Sequence, residues 1–266
     1  ARGWFTRALA AGLRPNPHTH AGVINAYLKK GDVEGAIECL QEFVRVGRLR
    51  PNVQIYTSIV DSLARRGDAD QAVAWFEKMR ADGTRPNLRT YNAVMSACAK
   101  AGDKHRAKEW FDAAQNDGLK PDAVSYTAMI TACSKSANVK GAVSWLDKMI
   151  AAGLKPTVVS YTAAITACGK SRADCSMQAW ELLDRMIEAG IAPNVITYNM
   201  AIRSFARARP AMNQAAEDLF RHMLEAKVAP NYYTQVYLAQ VVGGVRLAEL
   251  CHELGIKLDP RLKTAA

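Results

Sequence analysis

A proline recurs along the chain at Pro15, Pro51, Pro86, Pro121, Pro156, Pro193 and Pro230, in steps of 36, 35, 35, 35, 37 and 37 residues. A fixed period of this length marks a repeat architecture, in which each unit buries its apolar face on its neighbours and not in one central core. A tyrosine stands five residues after five of these prolines, as Tyr56, Tyr91, Tyr126, Tyr161 and Tyr198, with His20 at that place in the first unit. Nine residues further on the side chain is basic each time: Lys29, Arg65, Lys100, Lys135, Lys170 and Arg207.

Each unit reads as two helices. In 123–134 the apolar residues Val124, Met129, Ile130 and Cys133 recur mostly at helical steps, and the second half carries Ala142, Val143, Leu146 and Met149 in the same manner. Gly31-Asp32, Gly67-Asp68 and Gly102-Asp103 separate the halves, with glycine ending one helix and aspartate capping the next. The boundary proline stops the second helix, because it lacks an amide proton and biases the residue before it away from helix. Complete units are expected at 17–52, 53–87, 88–122, 123–157, 158–194 and 195–231. Residues 1–16 resemble the second helix of a truncated unit, and 232–266 a degenerate terminal repeat or cap. The last two full units are longer by two residues, which are assigned to the turn between the helices.

Cys98, Cys133 and Cys168 share one repeat position, filled by Tyr27, Leu63 and Phe205 elsewhere, so they read as small core hydrophobes and not as a disulfide or metal set. Cys39, Cys175 and Cys251 have no metal-ligand spacing, consistent with a reducing compartment. No run of about 18 apolar residues suggests a membrane span. The net charge of +10 and pI near 9.4 point to an anionic partner, nucleic acid first. No P-loop, G-x-S-x-G elbow, H-E-x-x-H or zinc-deaminase signature occurs, so no enzyme activity, metal or cofactor is expected of these residues.

The blocks VVSYTAAITACGK…LLDRMIEAGIAPN and VITYNMAIRSFARA…DLFRHMLEAKVAPN resemble the pentatricopeptide repeat family, and the resemblance runs through 1–231, fading over 232–266. It implies an all-α, right-handed α-solenoid superhelix of helix-turn-helix repeats of about 35 residues, whose first helices hold single-stranded RNA, one base per repeat. It further implies that the residue after the tyrosine and the residue after the closing proline read a base together. The pairs are Ala21 with Asn52, Thr57 with Asn87, Asn92 with Asp122, Thr127 with Thr157, Thr162 with Asn194, and Asn199 with Asn231. By resemblance, Thr with Asn favours adenine, Asn with Asp uracil, and Asn with Asn a pyrimidine. Ala21 and the Thr127–Thr157 pair match no familiar combination, so the expected element is N-A-U-(purine)-A-(C/U). The family sandwiches bases between apolar residues two places before the tyrosine, here Val124, Val159 and Ile196. His18, Gln54 and Arg89 depart from that pattern, and Arg89 can stack its guanidinium instead.

These residues also have a plainer reading. Asn or Asp after a proline makes an ordinary helix N-cap, which alone would account for Asn52, Asn87, Asp122, Asn194 and Asn231. Capping does not explain Thr and Asn inside the first helix, where both have poor helix propensity. The six basic residues form one stripe suited to phosphates, and six contacts would give a log–log salt slope of roughly −4 on a single strand. Trp75, Trp110 and Trp145 read as packing between second helices. The family resemblance implies service in organellar RNA stability, processing or translation, in a mitochondrion or plastid. The alternative is a structural scaffold in an RNA–protein assembly such as an organellar ribosome.

Overall fold

The computed structural model describes residues 17–47, 51–208 and 212–262, so the half-repeat expected at 1–16 lies outside the described residues. Fourteen α-helices and no strands are found among them. They are α1 (Pro17–Lys29), α2 (Val33–Gly47), α3 (Val53–Arg66), α4 (Ala69–Ala81), α5 (Leu88–Ala101), α6 (Lys104–Asn116) and α7 (Ala123–Lys135). Then follow α8 (Val139–Ala151), α9 (Val158–Lys170), α10 (Ser176–Glu188), α11 (Val195–Phe205), α12 (Asn213–Glu225), α13 (Tyr232–Val242) and α14 (Gly244–Glu253). The chain divides into two compact units, Ala1–Ala128 and Met129–Ala266.

In the first unit, α1, α3 and α5 lie side by side, and each packs on its own second helix, α2, α4 or α6. The elements begin and end for the reasons that their sequences give. Asn52 and Asn87 cap α3 and α5 through Oδ1, and Gly67 and Gly102 end those helices with φ near +80°. Only a residue without Cβ takes that conformation at little cost. In the fourth repeat the same position is Ala137, held at φ 51°.

The core of this unit alternates aliphatic and aromatic side chains. Ile55, Tyr56, Ile59 and Leu63 of α3 meet Ala72, Phe76 and Met79 of α4, all buried. The Ile, Leu, Phe and Met side chains among them, fully buried, contribute on the order of 1.5–3 kcal/mol each relative to exposure. Trp110 packs edge-on against Phe76 of the preceding repeat at 4.6 Å, so this tryptophan is an inter-repeat packing residue. The repeated tyrosines have a polar role as well. Tyr56 and Tyr91 are buried, and their hydroxyls donate to Asp82 and Asp117 at the ends of α4 and α6.

Burial and then the Asp117 carboxylate push the Tyr91 hydroxyl up to about 12, and burial raises Tyr56 in the same direction. A phenol whose folded value lies above its unfolded value of about 10 stabilises the fold fully below pH 10. That contribution is lost as pH rises from about 10 through about 12. Denaturant midpoints measured across this window should fall steeply in the native chain and less steeply in Tyr91→Phe. Equal slopes would assign the alkaline loss to other groups.

In the second unit, α9, α11 and α13 again lie side by side, with α10, α12 and α14 as their partners. The connectors lengthen here, to 171–175 between α9 and α10 and to 206–212 between α11 and α12, against 136–138 between α7 and α8. Cys168 and Phe205 occupy the same buried repeat position, as Leu63 and Cys98 do in the first unit. Burial pushes the Cys168 thiol up to about 12, so it packs as an unreactive small hydrophobe. Beyond α14 the chain turns back on α13: the Gln235 side chain donates to the Lys257 carbonyl at 3.1 Å and accepts from the Asp259 amide at 2.8 Å. Arg246 forks onto both carboxylate oxygens of the buried Glu217 at 2.8 Å, joining α14 to α12. No described helix is long and apolar enough to cross a membrane.

Candidate nucleic-acid interface

The expected reading residues sit at the N-terminal ends of the first helices, where the cap of one helix faces the second turn of the helix before it. Proline and the N-cap fix where each helix begins, so the cap side chain has a defined direction. The pairs are joined by hydrogen bonds. In the first unit, Asn92 on α5 donates through Nδ2 to Oδ1 of Asp122, the residue preceding α7, at 3.0 Å. Its Oδ1 accepts from the Ser125 hydroxyl at 2.6 Å. Oδ1 of Asp122 also receives the Val124 and Ser125 amides at 3.0 Å each. The groups left over are the second N–H of Asn92 and Oδ2 of Asp122, one donor beside one acceptor.

Thr57 and Asn87 meet through a third residue. The Thr57 hydroxyl lies 2.8 Å from the Thr90 hydroxyl, which donates to Asn87 Oδ1 at 3.0 Å. Asn52 caps α3 at 3.0 Å, and its partner Ala21 offers only a methyl group. In the second unit, Thr162, Thr197 and Asn194 repeat the three-membered arrangement, with 2.7 Å and 3.0 Å contacts. Asn199 donates directly to Asn231 Oδ1 at 3.1 Å. The Asn199 Oδ1 atom is buried and has no hydrogen-bond partner. Leaving a polar atom buried without a partner costs about 1–3 kcal/mol, so such an atom calls for an explanation.

Thr127 turns its hydroxyl onto the Ala123 carbonyl at 2.7 Å, and Thr157 caps α9 in a capping box with Ser160. All the post-proline residues Asn52, Asn87, Asp122, Thr157, Asn194 and Asn231 therefore do cap helices. Capping uses one oxygen of each side chain. In the Asn and Asp caps a second nitrogen or oxygen is left over, so capping and base reading are compatible there, whereas Thr157 has only the hydroxyl that caps α9.

The positions proposed for sandwiching are exposed apolar side chains. Val124, Val159 and Ile196 are 54%, 62% and 54% exposed at the first turns of α7, α9 and α11. These apolar groups stand at one exposed position in three successive repeats and forgo burial energy there. Tyr233 on α13, in the segment expected to form a degenerate terminal repeat or cap, occupies the same register and is 58% exposed. The signal was present, since Tyr233 follows Pro230 by the interval that separates Val124 from Pro121. Arg89 is held by Asp61, with Nη2 at 2.9 Å and Nε at 3.2 Å from one carboxylate oxygen, which constrains its guanidinium.

The basic stripe is divided in its roles. Lys29, Arg65 and Lys135 are exposed and form no ion pair among the described residues. Lys100 donates to the Ala64 and Arg65 carbonyls at 3.0 and 3.3 Å, at the end of α3, and Arg207 donates to the Ser171 carbonyl at 2.6 Å. Both satisfy carbonyls at or just beyond the negative end of a helix in the preceding repeat, a structural use of charge that spacing could not reveal. Burial lowers the Lys170 ammonium, and the nearby Lys135 and Arg203 charges lower it further. Arg203, absent from the sequence-based set, lies over the Tyr237 ring at 5.3 Å and adds to this cluster of cations.

Paired antiparallel helices in tandem, with hydrogen-bonded polar pairs at the first-helix N-termini, define a helical repeat protein of all-α solenoid class. Models of the PPR repeat family match residues 51–100, 86–135 and 121–170, a pentatricopeptide repeat domain matches 181–245, and a PPR repeat matches 19–48. The chain belongs to the pentatricopeptide repeat family. It is similar to the crystal structure of the pentatricopeptide repeat protein PPR10 from maize, at 25% identity and TM-score 0.64, covering 97% of this chain and 37% of that one. The same maize protein in complex with an 18-nt psaJ RNA element matches at 24% identity and TM-score 0.53, over 93% of this chain and 40% of that one. The PPR domain of Arabidopsis thaliana protein-only RNase P 1, in complex with tRNA, shares the fold at 17% identity and TM-score 0.59, over 71% and 97%. The chain thus spans about two fifths of the maize protein's length. No curated protein matches the sequence.

Proposed function

We propose that this chain binds single-stranded RNA sequence-selectively, one base per repeat, through the paired residues at the first-helix N-termini. The observation that carries this reading is the hydrogen-bonded pairing of Asn92 with Asp122, which leaves one donor and one acceptor side by side. Uracil offers a carbonyl oxygen next to an N–H, the complement of that pair. Two members of the family's fold, the maize protein and the RNase P domain, carry RNA in their structures, which supports nucleic acid as the ligand class. The exposed residues Val124, Val159, Ile196 and Tyr233 supply apolar faces for bases, and the basic residues at the opposite ends of the first helices, such as Lys135 and Lys170, suit a phosphate backbone. Family membership favours a role in organellar RNA stability, processing or translation, in a mitochondrion or plastid.

The test is binding of a short RNA carrying A-U-R-A-Y, beside one with the U replaced by G, each across a salt series. The matched RNA should bind at least tenfold more tightly, the worth of one or two lost hydrogen bonds. With Lys100 and Arg207 held by carbonyls, four cations of the stripe remain, and the log–log salt slope should be roughly −3, at about −0.7 per contact. Equal binding of the two RNAs would reject base reading and leave the scaffold role.

A further inference from the structure

We infer that the hydroxyl residue at the third position of the following helix is a specificity-determining residue of the adenine-reading repeats, because it fixes which way the reading threonine's proton points. The residues concerned are Thr90 and Thr197, each fully buried. The inference rests on the base-reading function proposed above and names a third member of each site.

The direction of the protons follows from the contacts. Oδ1 of Asn87 accepts the Thr90 backbone amide at 3.0 Å, so the oxygen of that side-chain amide faces the helix and its nitrogen faces away. Asn87 Oδ1 can only accept, so the Thr90 hydroxyl, 3.0 Å from it, must donate its single proton there. Thr57 Oγ1, 2.8 Å from Thr90 Oγ1, is then obliged to donate to Thr90. Its proton is spent inside the protein, and only lone pairs remain toward the ligand side. The pair therefore offers an acceptor from Thr57 and a donor from Asn87 Nδ2.

Adenine presents an amino donor next to a ring-nitrogen acceptor on its Watson–Crick edge and satisfies both. In the register that sets the exocyclic group against Thr57 and the ring nitrogen against Asn87, the one taken above for uracil with Asn92 and Asp122, guanine presents a carbonyl acceptor and an N–H donor and satisfies neither. The second unit repeats the logic. Asn194 Oδ1 takes the Thr197 amide at 3.0 Å and the Thr197 hydroxyl at 3.0 Å, which leaves Thr162, at 2.7 Å, to donate inward. For the first full repeat the reading residue is Ala21, and the third residue of the following helix is Ile55, which has no hydroxyl; neither half of the relay exists there.

The experiment uses the full chain and RNAs that differ only by A-to-G exchange, either at the nucleotide assigned to Thr57 and Asn87 or at the one assigned to Thr162 and Asn194. The native chain should prefer adenine at both. Thr90→Val keeps the side-chain volume and the backbone bond to Asn87 but frees the Thr57 proton to turn outward. It should reduce the adenine preference at the first nucleotide about tenfold and leave the second unchanged. Thr90→Ser, which restores the hydroxyl, should recover the preference. A structural disturbance alone would lower affinity for both RNAs without changing their ratio. An unchanged ratio in Thr90→Val, with the native chain still discriminating, would overturn the relay alone. A native chain that discriminates at neither nucleotide would overturn base reading and the relay with it.

Discussion

Asn92→Ala should weaken binding of the U-containing RNA roughly 30-fold, by about 2 kcal/mol, while changing fold stability by less than about 1 kcal/mol. The asymmetry follows from the local bonds. Removing Asn92 takes away the N–H proposed to meet the base, together with the Nδ2 contact that holds Asp122 Oδ1 at 3.0 Å. The fold keeps its substitutes, since the Ser125 hydroxyl already lies 3.1 Å from Asp122 Oδ1 and two backbone amides remain on that oxygen. The cap of α7 should survive. Titration of matched and mismatched RNA, beside a denaturant melt, separates the two effects. Equal loss of stability and binding would mean that Asn92 is chiefly a structural residue. Undiminished binding would place recognition elsewhere on the chain.

Gly169→Val should destabilise the second unit by about 2–3 kcal/mol, with a lower thermal midpoint and weakened binding of the downstream A-Y part of the RNA. A Cβ at Gly169 would stand 2.7 Å from the Met200 carbonyl oxygen and 3.2 Å from the Met200 Cα, both backbone atoms with little freedom to yield. α9 and α11 would have to separate, and these helices carry Thr162 and Asn199. Gly169→Ala meets the same atoms with a smaller group and should lie between the native chain and the valine variant. The corresponding residues in earlier repeats are Ala64, Ala99 and Ser134, all buried, so the closer approach is particular to this pair of helices. A valine variant as stable as the native chain would show that the two helices can part at no cost.

Gly169 also marks a limit of reading from the sequence. In the linear pattern it stands directly before Lys170, and nothing in the spacing marks it as a point of close approach. In the structure it lies inside α9, and its small size serves a backbone contact made by a residue about thirty positions away. The same holds for Lys100 and Arg207. Their spacing predicts a stripe of charge, and whether each cation is used by a helix end or left for a ligand depends on how far apart successive helices pack. Tyr233 was the reverse case, because its register with Val124, Val159 and Ile196 was available in the numbering alone.

The sequence by itself determined the repeat period, the two helices per unit, the caps and stops that bound them, and the residue types at each site position. These are local matters, settled by backbone preference, by side-chain bonds across three or four residues and by helical spacing of apolar groups. Only the tertiary structure decided that Thr57 reaches Asn87 through Thr90, that Asn199 keeps a buried oxygen without a partner, and that α9 and α11 meet at a glycine. Each of these depends on groups some thirty residues apart being placed to within a few tenths of an ångström. Local preference fixes no such distance; the packing of successive helices does.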